Sequence, residues 1–385
     1  MLQRISLTLL LAAAALAVSL PASASVLPED RTDVLYHLYT GGGVDIDGPS
    51  VLVRKKVHKN VSLVGNYYVD MVSSASIDVI TTASPYTEER TQWSIGADYL
   101  RGNTTLRANY VSSVESDFDA KTYAFSVSQD MFGALTTLTL GYAYGADIVG
   151  RSDDPTFRRD NRRQQYSVGL TQILTRNMIA SVSFDTTTDE GFLNNPYRSV
   201  RYLDAGSALG YSFEPELYPN TRTSNALGIR ARYYLPYRAA IEGEYRYFTD
   251  TWDLKSHTAS VTYIHPMGPW TFTGKFRWHD QNSASFYRDI FPRSEATNFR
   301  GRDKELSALT SLTFKGKVSY KFINENRGYG FLKKGTINAS VDFLMLDYHD
   351  FSDLSAGAPL GEEPLFSMNA AVFQVFVSFW YSVSY

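Results

Sequence analysis

The segment Trp270-Thr271-Phe272-Thr273-Gly274-Lys275-Phe276-Arg277-Trp278-His279 alternates without a break. Its even positions carry Trp, Phe, Gly, Phe and Trp, and its odd positions carry Thr, Thr, Lys, Arg and His. Successive side chains of a strand point to opposite faces. The segment therefore predicts a strand with one oily face, aromatic at both ends, and one polar, charged face. The same period recurs in Val61 to Met71, where Val61, Leu63, Gly65, Tyr67, Val69 and Met71 alternate with a set that includes Ser62, Asn66 and Asp70. At the carboxy terminus, Phe373, Val375, Val377, Phe379, Tyr381, Val383 and Tyr385 share one parity.

A soluble β-sandwich alternates too, so the pattern needs support from elsewhere. The alternating segments run to about 10–13 residues, longer than the usual five or six of soluble sheets. That length suits a tilted crossing of a bilayer. Connections also alternate in length. Short turns at Thr175-Arg176-Asn177, Leu235-Pro236-Tyr237 and His265-Pro266-Met267-Gly268 take turns with long polar loops around 147–162, 189–222, 281–303 and 349–367. That asymmetry predicts periplasmic turns and extracellular loops. The apolar parity ending in Tyr385 resembles the signature by which bacterial outer-membrane barrels present their last strand to the insertion machinery.

Alternating loop and turn backwards from Tyr385 predicts sixteen strands near 31–40, 48–57, 60–73, 89–100, 103–113, 119–129, 134–146, 163–174, 177–187, 223–234, 238–249, 254–265, 269–280, 304–323, 335–347 and 369–385, with fourteen and eighteen as the neighbouring solutions. The expected fold is all-β: a transmembrane antiparallel up-and-down β-barrel, closed because an open sheet edge leaves backbone groups unpaired in hydrocarbon. Leu306 to Phe322 keeps one apolar parity, which reads as a single strand extending beyond the bilayer. In domain terms, residues 1–24 form a signal peptide and 25–385 one barrel. Met1 to Arg4 is the charged leader, Ile5 to Leu20 the apolar core and Pro21-Ala22-Ser23-Ala24 the cleavage site. A retained signal anchor is the alternative.

Composition removes other classes. With no cysteine, the chain has no disulfides, no thiol nucleophile, no iron–sulfur cluster and no Cys-ligated zinc. A net charge of −3 supplies no basic field for nucleic acid. There is no Gly-x-Ser-x-Gly, His-Glu-x-x-His or phosphate-binding glycine loop. The six histidines show no metal-like spacing, and Gly41 to Gly48 lacks the remaining ligands of a calcium loop and reads as a flexible turn. No cofactor, no metal and no catalytic residue is expected. A hydrolase at the barrel rim would need a Ser/His or Asp/His pair within hydrogen-bond reach.

Sixteen strands leave room for an aqueous lumen. The lumen-lining candidates are Arg230, Arg232, Glu242, Glu244, Arg246, Lys275 and Arg277. A turn at Pro236-Tyr237-Arg238 pairs Arg232 with Glu242 and Arg230 with Glu244, while Leu227, Ile229 and Tyr233 face lipid. These charges either select solutes at a constriction or hold the hairpin register, each pair contributing about 0.2–1 kcal/mol. Their mixed signs argue against strong ion selectivity. The 189–222 loop is the recognition candidate through Phe192, Asn194, Tyr197, Arg198, Arg201 and Tyr202. It could constrict the lumen, cap the barrel, bind a partner, or pack on neighbouring loops as a lid without a ligand.

The runs Asp33 to His37, Gly41 to Ser50, Asn66 to Ser76, Thr82 to Arg90, Asp189 to Asp204 and Arg230 to Arg238 resemble a family of Gram-negative outer-membrane proteins known only as a domain of unknown function. The resemblance implies a β-barrel and carries no catalytic or binding residues. It also implies an envelope setting in which a periplasmic redox protein is a partner, chemistry that a cysteine-free chain cannot itself join. The expected surroundings are outer-membrane lipid and lipopolysaccharide. The expected role is a channel or transport component, with a scaffold for a redox partner as the alternative.

Overall fold

The computed structural model describes residues 26–74, 86–324 and 330–382. The predicted signal peptide, the 75–76 and 82–85 parts of the family resemblance and the chain end at Tyr385 lie outside them. Sixteen antiparallel strands close into one barrel: β1 (Arg31–Gly41), β2 (Val44–His58), β3 (Val61–Ser74), β4 (Tyr86–Arg101), β5 (Thr104–Val114), β6 (Phe118–Met131), β7 (Thr136–Gly150), β8 (Arg158–Thr175), β9 (Met178–Gly191), β12 (Thr221–Tyr234), β13 (Ala240–Asp250), β14 (Lys255–Met267), β15 (Trp270–Gln281), β16 (Leu309–Ile323), β17 (Leu332–Ser352) and β18 (Leu365–Tyr381). Each pairs with its sequence neighbour, apart from the direct pairing of β9 with β12 and the closing pair of β1 with β18, which runs from Arg31↔Trp380 to Gly41↔Ala370. The remaining strands, β10 (Ser199–Leu203) and β11 (Tyr211–Pro215), form a separate two-stranded ribbon inside the β9–β12 loop.

Alternation is what makes the wall two-faced. Phe125, Leu140, Val168, Phe184, Leu227 and Ile229 all project outward and are exposed, while the residues between them face the interior. The outward set forms a continuous apolar belt, and every strand of the wall is hydrogen-bonded on both edges, the condition for crossing hydrocarbon. Because the inner face is polar, the buried apolar clusters lie elsewhere. Tyr218, Trp252, Leu254, Ala284, Phe286, Tyr287 and Leu306 pack together at the end that carries the long loops, as do Leu309, Tyr348 and Phe351.

Several boundaries differ from expectation for local reasons. Residues 304–308 are not strand: Asp303 caps a short 3-10 turn over Lys304–Leu306 by accepting from the Glu305 amide, and Leu306 turns inward to be buried. The overlong strand is instead β17, with 21 residues. Pro266 and Met267 belong to β14, and the turn is Gly268-Pro269, with Met267 paired to Trp270. Gly41 to Gly48 is not a flexible turn. Only Gly42 and Gly43 connect β1 to β2, both at the positive φ that a two-residue hairpin of this hand requires, and Asp45 and Asp47 sit in the ladder. The 147–162 loop shortens to 151–157, because β7 and β8 stay paired out to Gly150↔Arg158.

Candidate functional site

Two features face each other in the molecule: the charged inner wall and the loops over one mouth. On the wall, the Pro236 turn sets the register of β12 against β13 so that Arg230↔Glu244 and Arg232↔Glu242 are direct partners. Arg232 bonds Glu242 at 2.7 Å, Arg230 bonds Glu244 at 3.1 Å, and Lys275 reaches the same Glu244 at 3.8 Å. Arg246, one step along β13, lies over the Phe248 ring at 5.6 Å. Arg277 follows Lys275 on β15, opposite Ser260 on one side and Thr313 on the other. All seven predicted inner-face charges thus share one stretch of wall from β12 to β15. The inner face also carries Lys315, which pairs with Asp342 at 2.8 Å, and Asp98, which Arg54 and Arg107 clamp near the short-turn end.

The 192–220 loop crosses the mouth. Its Tyr197 hydroxyl donates to Asp117 in the β5–β6 loop at 2.6 Å and accepts from the Ser152 amide in the β7–β8 loop at 2.6 Å. Only four residues on, Arg201 donates to Asp289 in the β15–β16 loop and to Glu363 in the β17–β18 loop. The β5–β6 and β15–β16 loops stand diametrically opposed, eight strands apart either way round the barrel. The segment between Tyr197 and Arg201 is therefore a strap tied to both sides of the rim.

The other predicted loop residues serve this strap. Phe192 packs edge-on against Phe157 with ring centroids 5.5 Å apart. Asn194 clamps its own loop, donating to the Glu216 carbonyl at 2.8 Å and accepting from the Tyr218 amide at 3.1 Å. Arg198 pairs with Asp303. Tyr202 joins the Phe291 backbone in a parallel bridge. Arg201, Asp303 and Val200 are among the most deeply buried residues of the protein. Their partners Asp289, Arg302, Asp303 and Glu363 were not anticipated, since nothing local in the sequence ties residues so far apart.

Electrostatics in the cap follows from that burial. Burial raises the pKa of Asp289, but the Arg302 and Arg201 guanidiniums outweigh it and hold the carboxyl below its ordinary range. Glu216 is different. Burial, reinforced by the Asp303 carboxylate, pushes it up to about 7 against the opposing pull of Arg198, the Tyr218 hydroxyl and the Arg302 amide.

An Asp/His pair is also present. His37 Nε2 lies 2.8 Å from Asp70 Oδ1, Arg90 bonds the other Asp70 oxygen at 2.8 Å, and the His37 ring stacks on Tyr68. All three charged or titratable members are buried, and His37 Nδ1 meets no hydrogen-bonding group.

Residues 151–330 match the family described as "Protein of unknown function (DUF3570)". That span holds the strap, the β12–β15 wall and much of the cap, and over it the family resemblance expected from the sequence holds. In fold the chain is similar to a bacterial polysaccharide outer membrane secretin, at 10% identity over 92% of this chain and 100% of that one, with a TM-score of 0.48. It is similar also to the CymD monoaromatic hydrocarbon channel, at 8% identity over 93% and 90%, TM-score 0.45. OccK5 (OpdH) of Pseudomonas aeruginosa matches at 7% identity over 93% and 100%, TM-score 0.41. No curated protein matches the sequence.

Proposed function

We propose that this protein is an outer-membrane channel or transport component, with its long loops extracellular and its short turns periplasmic. The observation that carries the reading is the two-faced wall: a continuous apolar belt outside and ion-paired, hydroxyl-rich strands inside a closed sixteen-stranded barrel. A barrel of this strand number is too wide for its own side chains to fill. In this reading the strap between Tyr197 and Arg201 limits access at the outer mouth, and the aromatic and arginine residues of the loop hold it in place. The proposed environment is lipid and lipopolysaccharide, with insertion through the carboxy-terminal strand.

The hydrolase alternative finds its Asp/His pair in His37 and Asp70, yet the pair is sealed and no hydroxyl nucleophile stands on Nδ1. Nothing in the geometry singles out a surface for a periplasmic redox partner. Single-channel conductance of the folded chain in planar bilayers tests the channel reading. Discrete openings are expected, larger or longer-lived when residues 192–220 are replaced by a short linker. A barrel that conducts in neither form is not a channel.

A further inference from the structure

We propose that the β13–β16 stretch of the inner wall is a binding track for anionic solutes, carboxylates and phosphates, centred on Arg246, Arg277 and Lys317. The inference rests on the channel reading and gives that channel its substrate class. Between the Arg222–Asp250 pair at the loop end and Lys321 at the turn end, the inner face of β12 to β17 carries seven cations, Arg230, Arg232, Arg246, Lys275, Arg277, Lys315 and Lys317, against three carboxylates, Glu242, Glu244 and Asp342. Each carboxylate already holds a cation, through Arg232, Arg230 and Lys315. Among the described residues no carboxylate comes within ion-pair distance of the remaining three. Asp185, on the inner face of neighbouring β9, and Glu244 act on Arg246 only from beyond that reach, as Glu244 does on Arg277.

What holds the three cations in place is not negative charge. Lys317 sits over the Phe376 ring at 4.8 Å and Arg246 over Phe248 at 5.6 Å, contacts that orient a cation while leaving its N–H donors open. Arg277 stands between two hydroxyl residues of the adjacent strands, Ser260 and Thr313. The Thr313 hydroxyl is buried without a hydrogen-bond partner, an unusual state for such a group. A guanidinium without a counter-ion beside an unpaired hydroxyl is the donor set that a carboxylate or phosphate oxygen completes.

The facing wall leaves room for that oxygen's owner. β5 and β6 lie eight strands from β15 and β16, and mid-strand they present Asn109, Val111, Ala124 and Ser126 to the interior, without charge. The mixed signs expected from the sequence are therefore not evenly spread. Mid-strand on β12 to β17, paired charges stitch the strands together and the unpaired remainder is cationic, while Asp185 lies outside that stretch on β9.

The test uses the full barrel in planar bilayers under a KCl gradient of about tenfold, where reversal potential gives relative ion permeability. A chloride preference of at least about threefold is expected, falling to about one in R246Q/R277Q/K317Q and persisting in the charge-neutral pair variant R232Q/E242Q. A cation preference, or a preference unmoved by the triple variant, overturns the track while leaving the channel standing. Calorimetric titration of the detergent-folded protein with inorganic phosphate at low ionic strength separates the two ideas. Phosphate binding that the triple variant abolishes, in a barrel that does not conduct, keeps the anion track and removes the channel. Absence of both conduction and phosphate binding overturns the track as well.

Discussion

Arg201 Nη1 donates to Glu363 Oε1 at 2.5 Å, joining two loops of the same barrel mouth that are 162 residues apart in sequence. With Asp289 on its other nitrogens, this one guanidinium ties three loops together where it is 1% exposed. Removing one partner of a buried ion pair costs about 3–5 kcal/mol, because the charges left behind have lost their compensation. Arg201→Met is expected to release the strap without unfolding the barrel. Proteolytic cleavage within 192–220 should become fast while the sodium dodecyl sulfate gel mobility of the folded barrel persists. Protease resistance equal to the parent's contradicts this role for Arg201.

Glu216 gives the cap a pH dependence of defined sign. Its carboxyl is pushed up to about 7 from an ordinary value of 4.5. Between those values the closed cap binds a proton that the opened loop does not, so closure weakens as pH rises through the window. Asp289 and Glu363 are held below their ordinary range, so what they contribute is lost only in more acidic solution. Because the chain has no cysteine, labels at Ala208→Cys and Ala356→Cys are unique. Spin-label distances between them should be narrowly distributed at about pH 5 and broader at about pH 8. In Glu216→Gln the distribution should not change with pH. A parent protein insensitive over this range removes Glu216 as the controlling group.

Much of the barrel is legible from sequence because a one-residue slip would turn the oily face inward, so parity and register are the same information. That is why Arg232 and Glu242 could be paired from the position of Pro236 alone. Parity failed at Leu306, which keeps the right period yet leaves the wall, because the Asp303 cap diverts the backbone into a buried 3-10 turn. It was silent on Arg201, Asp289 and Glu363, whose association depends on which loops meet across the mouth. Nor could it separate Arg277 from Arg232. Both are inward cations on alternating strands, but the short Pro236 turn fixes what stands opposite Arg232, whereas the long β15–β16 loop leaves the Thr313 partner of Arg277 to the three-dimensional register.

The Arg232–Glu242 pair is predicted to hold register and little more. Both side chains are partly open to the interior, at 38% and 13%, so solvent screens their attraction. A double-mutant cycle of Arg232→Ala and Glu242→Ala, read by urea unfolding in phospholipid vesicles, should give a coupling of about 0.2–1 kcal/mol. A coupling well above that range would mean a dry, tightly enclosed pair and an interior closed to water at this height.

Inside and outside can be told apart at two adjacent residues of β6. Phe125 projects outward, 58% exposed, in the middle of the strand, and Ser126 projects inward. In a bilayer an arginine on the outward face near mid-depth costs about 2–4 kcal/mol, whereas an inward one meets water and costs little. Phe125→Arg is therefore expected to lower folding stability in vesicles by that amount and Ser126→Arg to leave it nearly unchanged. In detergent micelles, which deform around a charge, the difference should shrink. If Ser126→Arg proves the more damaging of the two in vesicles, the apolar belt does not face lipid.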